Sequence, residues 1–248
     1  PILPLRNTVL FPGVVIPITV GRDKSIALIK ESYKGRRTIG VLAQKDPDIE
    51  DPVVEDLHKV GTVARLIKIL QMPDGNTTAI IQGKKPFEMI EMIQEEPYFK
   101  ANIKAYDTGI DIPKGKEFDA LISSVKDINI QIIEKSPGIP SEAAFAINNI
   151  ESPAFLVNFI SSNLKVENNV KQELLEMADM DKKAKRVLEL LTKDLQMLDL
   201  KNDIQKKVKV DMDKQQRDFL LNQQLKTIQD ELGGGPHDQE ISDLKLKA

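Results

Sequence analysis

The feature that most constrains this fold is a long stretch without helix-breaking residues. Residues 154–232 of the 248-residue chain contain neither glycine nor proline, whereas 10 of the 13 glycines and 13 of the 14 prolines precede residue 154. A proline costs a helix interior about 3 kcal/mol and a glycine about 1 kcal/mol. Their absence predicts nearly continuous helix. The chain therefore divides into a front half rich in turns and a helical back half.

Composition narrows the classes of function. The net charge is −3, from 35 basic and 38 acidic residues, which disfavours a dedicated nucleic-acid binder because such proteins usually carry a basic face. Without cysteine the chain has no disulfide, no thiolate nucleophile and no cysteine-based zinc site. It shows neither a membrane-spanning apolar run nor a signal sequence, and it begins at Pro1. We therefore expect a cytoplasmic fragment or processed chain with no membrane partner.

Short apolar runs of strand length alternate with turn residues in the front half. These runs are 14–20, 38–43, 61–70, 77–82 and 99–105. The last alternates between apolar and polar residues, the period of a strand with one buried face. Pro73-Asp74-Gly75 predicts a tight turn that joins the third and fourth runs, because proline presets φ and glycine accepts positive φ. With a helix at 24–33, the pattern predicts a small, partly open barrel or curled sheet.

No residue pattern in the front half indicates chemistry. His58 has no second histidine nearby, so a surface position is favoured over a metal ligand. The basic cluster Lys34-Gly35-Arg36-Arg37 is more typical of a solvated loop than of a phosphate site. An acidic metal loop at Pro73-Asp74-Gly75 is less favoured than a turn. We predict no catalytic, cofactor or metal residue.

Helical spacing and capping signals divide the back half. The predicted helices cover 118–132, 141–150, 153–164, 167–176 and about 181–232. Ser136-Pro137-Gly138 ends the first of them, and Ser152 with Pro153 forms a start signal for the third. The predicted buried face of that third helix consists of Phe155, Leu156, Phe159, Ile160 and Leu164.

The last helix carries an apolar seam without an obvious partner. Its 52 residues would span roughly 78 Å, which is too long for a domain of this size to cover. The seam consists of Leu221, Leu225, Ile228 and Leu232, spaced 4-3-4. Such a seam needs a partner helix, and we expect a second chain or a further domain to supply it. The glycines at 233–235 are predicted to form a hinge.

Several separated segments resemble one known family. They are 3–13 (LPLRNTVLFPG), 61–65 (GTVAR), the turn at 73–75, 151–153 (ESP), 212–217 (MDKQQR) and 224–233 (QLKTIQDELG). Together they closely resemble the N-terminal region of Lon-type ATP-dependent proteases, in which the last two segments lead to an AAA+ module. Asn7 stands where the family commonly has aspartate. Lys84 stands where an arginine usually follows the preceding glycine.

The resemblance implies an α+β fold in four parts. These are a β-rich, PUA-like curled sheet at 1–108, a small helical bundle at 109–180, a very long helix at 181–232, and a linker at 233–248 towards an AAA+ module. It also implies a non-catalytic region that recognises unfolded or damaged proteins and supports a homohexamer. We expect the isolated fragment to self-associate weakly through Leu221, Leu225, Ile228 and Leu232.

The chain lacks the motifs of the family's chemistry. It has no Gly-x-x-x-x-Gly-Lys-Ser/Thr phosphate loop, and the Ser–Lys dyad of the family has no counterpart motif. We therefore expect this fragment to bind no cofactor and to cleave no peptide bond. The resemblance assigns ATP with Mg²⁺, and the catalytic dyad, to segments outside this chain.

Five apolar residues are candidates for contact with substrate proteins, since flexible methionines suit promiscuous binding. The candidates are Leu10, Phe11, Met72, Met89 and Met92. The alternative for each is ordinary core or turn packing. Two other functions stay open: a nucleic-acid-binding module, since small curled β domains can bind RNA, and a free-standing coiled-coil scaffold that dimerises through the last helix. DNA binding is possible but nothing in the composition indicates it.

Overall fold

The structure is a computed structural model that describes residues 1–71, 77–106, 113, 115–140 and 142–233. It divides into two compact units, Pro1–Gln196 and Met197–Ala248. The predicted turn at 73–75, Met72 and residues 234–235 of the predicted hinge lie outside the described residues. No helix in the described ranges is long and apolar enough to cross a membrane.

In its described residues the front half forms one curled sheet with one α-helix beside it and a short 3-10 helix at Val54–Asp56. Its elements are β1 (Ile2–Leu5), β2 (Val15–Val20), α1 (Asp23–Lys34), β3 (Thr38–Ala43), β4 (Val60–Gln71), β5 (Thr77–Gln94) and β6 (Lys100–Ala105). The strand order is β1-β3-β4-β5-β2, with β6 also on β5, and only β1 and β3 run parallel. The sheet is open, which confirms the predicted α+β class with a curled, partly open sheet.

Strand β5 is three times as long as the sequence pattern predicted. Residues 77–82 pair with β2, whereas 87–94 pair with β6 on the same side. Residues 83–86 lie between these two partners, and the β4 register shifts beside them, between Val63 and Ala64. A proline is tolerated at such an interruption. Pro86 therefore does not end the strand, although sequence rules treat it as a breaker.

The alternation in β6 was interpreted as a half-buried strand, but most of its apolar face is exposed. Ile103 is 42% exposed, and Ala105 is exposed as well. The reason is that β6 pairs only with β5 among the described strands, so it lies at an edge of the sheet. Alternation predicts which face a strand offers to the core, but it does not predict whether the core extends that far.

Two apolar clusters form the core of the front half. One packs α1 against the sheet, through Leu28 and Ile29 on strand residues such as Ile39 and Ile81. The other gathers around Phe87, which is 1% exposed, and includes Met89. These clusters hold most large apolar side chains of the front half away from water. The described ones that remain exposed are Val15, Val53, Ile67, Ile90, Ile93 and Ile103.

Five helices follow, close to the predicted positions. They are α2 (Lys116–Lys135), α3 (Glu142–Asn148), α4 (Pro153–Asn163), α5 (Asn168–Glu176) and α6 (Met180–Gly233). The Ser152 hydroxyl accepts a hydrogen bond from the Phe155 N–H at 3.3 Å, which confirms the predicted N-cap. Asp179 caps α6, because its carboxylate accepts from the Asp181 N–H at 3.0 Å.

The buried face of α4 differs in part from the prediction. Leu156, Ile160 and Leu164 are at most 6% exposed, whereas Phe155 and Phe159 are only partly buried. The two phenyl rings lie 5.9 Å apart. They flank the core instead of filling it, so each leaves part of its surface for other contacts.

The part of α6 that belongs to the second unit, residues 197–233, has exposed apolar side chains. Leu221, Leu225 and Ile228 are each more than half exposed. The side chain of Leu232 lies outside the described residues. The helix itself agrees with the prediction, and the self-association of its seam stays a prediction.

A turn at residues 10–13 connects the sheet with the helices. The Thr62 hydroxyl donates to the Leu10 carbonyl at 2.6 Å, and the Gly13 N–H donates to the Gly83 carbonyl at 3.0 Å. The backbones approach so closely that a Cβ on Gly83 would lie 2.2 Å from the Phe11 carbonyl oxygen. Only glycine fits there without moving the turn.

Gly83→Ala should therefore destabilise the chain by about 1–3 kcal/mol, the usual cost of overpacking. The measurement is the free energy of unfolding in urea. Gly21→Ala is the matched control, because nothing lies within 4 Å of a Cβ at that position. Equal stability of the two variants would contradict the close approach described above.

Candidate functional site

The joint between the turn and the helices contains a buried lysine. Lys183, in the first turn of α6, is 5% exposed. Its Nζ donates to the Asn158 side-chain oxygen at 2.7 Å and lies 5.2 Å from the centre of the Phe11 ring. The Asn158 amide in turn donates to the Pro12 carbonyl at 3.3 Å. Lys183 makes no ion pair with any described carboxylate. The Asn158 side chain and the Phe11 ring are therefore the groups that stabilise its ammonium.

A second joint connects β4 with α5. The Gln172 amide donates to the Val60 carbonyl at 2.8 Å, and the Tyr106 hydroxyl donates to the Glu176 carbonyl at 2.9 Å. His58 lies partly buried near this joint, and its Nε2 has no hydrogen-bond partner among the described residues. Burial lowers the pKa of His58, the nearby Glu176 offsets part of this, and Lys45 adds to it. The hydrogen bonds of Gln172 and Tyr106 thus connect the front half with α5.

The described residues contain no group of three or more His, Asp or Glu side chains that could hold a metal ion. The clearest candidate surface is instead apolar. It must be sought among large apolar side chains that the core leaves in contact with water, because an exposed apolar patch on a soluble domain often marks a binding site.

The candidate contact residues from the sequence are mostly inside the protein. Leu10 is 2% exposed, Phe11 is 0% exposed and Met89 is 8% exposed. Phe11 forms part of the joint described above, and Met89 belongs to the core around Phe87. Met92 is partly buried against that same core, and Met72 lies outside the described residues. Thus only Met92 of these five keeps accessible surface in the described structure.

Three isoleucines beside Met92 are exposed instead. Ile90 is 61%, Ile93 is 62% and Ile103 is 42% exposed. The register of β5 against β6 shifts between Met89 and Glu91, and again between Met92 and Gln94. Ile90 and Ile93 are therefore the extra residues of two bulges, which re-aim side chains. We use the name hairpin patch for the large apolar residues of the paired segments 87–94 and 100–105 that keep accessible surface, which are Ile90, Met92, Ile93 and Ile103.

Polar cross-strand pairs fix the strands that carry the hairpin patch. Lys104 forms an ion pair with Glu88 at 2.9 Å, and the Asn102 amide donates to the Glu91 carboxylate at 2.7 Å. These pairs set the register on an edge strand, so the exposed isoleucines are held on a defined scaffold. Sequence reasoning missed Ile90 and Ile93, because a bulge leaves no signal in hydrophobic periodicity.

Known proteins are similar to this chain over its whole length. A family model described as the ATP-dependent protease La (LON) substrate-binding domain matches residues 1–193. A Lon protease of Flavobacterium johnsoniae is 53% identical over 100% of this chain and 30% of its own length. For a Lon protease of Cytophaga hutchinsonii the identity is 51%, again over 100% of this chain and 30% of the relative. The chain thus spans about 30% of the length of these curated relatives.

Two solved structures share the fold. The N-terminal domain of Mycobacterium avium complex Lon protease aligns with a TM-score of 0.63 at 17% identity, covering 77% of this chain and 97% of that one. A Lon N-terminal domain protein from Xanthomonas campestris aligns with a TM-score of 0.53 at 15% identity, covering 76% and 96%. The family model matches more than half of the chain, so the chain belongs to the LON substrate-binding domain family. The resemblance drawn from the sequence is confirmed.

The buried lysine predicts a pH dependence of stability. Burial lowers the pKa of Lys183 to about 7, whereas an unfolded lysine titrates near 10.4. Between these values the unfolded chain binds a proton that the folded chain has released, so stability rises with pH. The slope is about 1.4 kcal/mol per pH unit, and the contribution is lost as the pH falls through 7.

Lys183→Met should remove this slope. The measurement is the free energy of unfolding in urea at several pH values between about 7 and 10. Lys182→Met is the matched control, because the neighbouring Lys182 side chain is 78% exposed. Parallel pH profiles for the unmodified chain and Lys183→Met would show that the lysine titrates normally in the folded state.

Proposed function

We propose that this chain is the N-terminal, non-catalytic region of a Lon-type ATP-dependent serine protease, and that it recognises unfolded or damaged proteins. The observation that carries the proposal is the match of residues 1–193 to a family model described as a substrate-binding domain. The relatives named above are Lon proteases of which this chain spans about 30%. We assign ATP with Mg²⁺ and the Ser–Lys dyad to the remaining part of such a protein, which acts in the cytoplasm.

The hairpin patch is the surface that we assign to substrate contact. An unfolded protein differs from a folded one in exposing large apolar side chains and unpaired backbone groups. The apolar side chains of an unfolded protein can pack against the exposed isoleucines of the patch, Ile90, Ile93 and Ile103. Its unpaired backbone groups can form hydrogen bonds with the outer edge of β6, which pairs with no other described strand. Neither kind of contact depends on a particular amino-acid sequence in the substrate. A quality-control protease requires this breadth.

Nucleic-acid binding is the weaker alternative. The chain carries 35 basic and 38 acidic residues, and affinity for nucleic acid comes mainly from cationic contacts to phosphate. The hairpin patch offers isoleucines, which give no such contact. Protein substrates are therefore the better match.

Replacing Ile90 and Ile93 together by serine should weaken substrate binding. If each side chain buries about half of its surface in the complex, the loss is about 1–2 kcal/mol in total, which is a roughly five- to thirtyfold higher Kd. The measurement is the fluorescence anisotropy of a labelled, permanently unfolded model protein titrated with the chain.

Val15→Ser serves as the matched control. Val15 is 48% exposed and pairs with Gln82, eight residues before Ile90 along β5, so its loss should leave the Kd unchanged. If the double variant kept the affinity of the unmodified chain while retaining its melting temperature, the hairpin patch would not be the substrate surface.

We further propose that the exposed seam of α6 supports hexamer assembly in the whole protein and weak self-association of the present chain. Leu221, Leu225 and Ile228 expose apolar surface along one helix face, and a paired helix would bury it. Leu225→Asp with Ile228→Asp should therefore abolish self-association, which light scattering measures as mass against concentration.

Gln223→Asp with Thr227→Asp is the control for this pair. Gln223 and Thr227 lie about 200° around the helix from Leu221 and Leu225 respectively, so the control adds the same charge to the opposite face. Self-association that survives the first pair of substitutions but not the second would assign the contact to that opposite face.

A further inference from the structure

The helical part of the first unit contains an open apolar cleft of about 260 Å³. Helices α2, α3, α4 and the start of α6 enclose it, and Ile132, Phe159, Ile160 and Leu191 are among its walls. A buried apolar cavity of about 150 Å³ is large enough to bind benzene. The cleft therefore has room for one large aliphatic or aromatic side chain.

The walls of the cleft combine rigid and accessible surfaces. Ile160 and Leu191 are each 2% exposed, so the floor is part of the packed core and does not need an occupant for its own stability. Phe159 is only partly buried, and Ile139 at the mouth is 39% exposed. Apolar surface of this kind gains free energy when another apolar group covers it.

Four polar side chains also line the cleft, and they are Asn129, Asn163, Lys165 and Asp194. None of them is buried, so we place them at its mouth. The Asn163 amide donates to the Phe159 carbonyl of its own helix at 2.8 Å, which leaves its side-chain oxygen as an acceptor. The side chains of Asn129, Lys165 and Asp194 make no hydrogen bond or ion pair with any other described residue. The mouth thus offers both donors and acceptors.

This set of polar groups distinguishes between possible occupants. A polypeptide main chain presents N–H donors and C=O acceptors in alternation, and it can use both kinds of group at the mouth. A fatty acid presents only a carboxylate, which Lys165 attracts and Asp194 repels. Opposite charges at the mouth also leave no net preference for acidic or basic peptides. The chemistry of the mouth therefore favours an uncharged, extended peptide segment.

We propose that the cleft is a second substrate-binding site, which takes one bulky apolar side chain of an unfolded polypeptide while its polar mouth binds the adjacent main chain. This inference rests on the proposed function and adds a site to it. The hairpin patch would contact extended apolar segments on the sheet, and the cleft would select single large side chains such as Phe, Leu or Met.

The test fills the cleft from one wall. Ala146 of α3 lines it and is exposed, so Ala146→Phe should occupy the space with little disturbance of the core. The probe is a short labelled peptide of Gly, Ser and Asn residues with one central Phe, compared with the same peptide carrying Ser instead. We expect Ala146→Phe to weaken binding of the Phe peptide roughly tenfold, the value of burying one large side chain.

Two controls accompany this measurement. Ala120→Phe places the same side chain at an exposed position of α2 that does not line the cleft, and it should leave binding unchanged. The Ser peptide should bind weakly to every variant. Ala146→Phe at full affinity for the Phe peptide, with an unchanged melting temperature, would overturn the proposal. Displacement of the Phe peptide by laurate, with equal binding of both peptides, would also overturn it in favour of an acyl chain.

A second measurement uses the unmodified chain and so does not depend on the folding of a variant. A photoreactive benzophenone replaces the phenyl ring of the peptide, and mass spectrometry maps the crosslinks. Crosslinks on α2, α3 or α4 around the cleft support the proposal, and crosslinks confined to the hairpin patch overturn it while the proposed function stands. If neither the peptide nor the unfolded model protein bound the chain, the proposed function would fail as well.

Discussion

The turn at residues 10–13 is the contact on which the rest of the first unit depends. Its carbonyl groups are shared among different elements: that of Leu10 accepts from Thr62 on β4, and that of Pro12 accepts from Asn158 on α4. Gly83 of β5 lies against the Phe11 carbonyl. A short loop thereby ties two strands to a helix, although these elements are far apart in sequence. Displacing the turn would release several hydrogen bonds of buried groups at once.

Lys183 illustrates the free-energy cost of this joint. A buried ammonium without an ion pair is unfavourable, and burial lowers its pKa to about 7. It bonds to the same Asn158 that holds the turn, so the beginning of α6 is tied to the joint as well. The two surfaces that we propose for substrate contact, the hairpin patch and the helical cleft, expose apolar area on elements that the joint and the core hold in place. Such surfaces would combine broad specificity with a rigid fold.

Much of this architecture could be predicted from local sequence. The helical back half follows from the missing glycines and prolines, and Ser152 and Asp179 cap helices where capping rules place them. Strand β5 could not be predicted in full, because Pro86 is tolerated only where the strand paired with β5 changes from β2 to β6. The burial of most candidate contact residues could not be predicted for a related reason. Phe11 resembles any other apolar residue near a turn, and only packing shows that it is buried.

The sequence by itself determined the class of fold, the order of the elements, the apolar seam of α6 and the family, because these depend on periodicity, capping and motif order along one chain. Only the tertiary structure decided which apolar residues remain exposed. Bulges in β5, where it pairs with the edge strand β6, leave Ile90 and Ile93 exposed, and four helices leave a cleft beside Phe159. Both features arise where distant segments meet, and the free energy of such contacts depends on partners that local sequence does not specify.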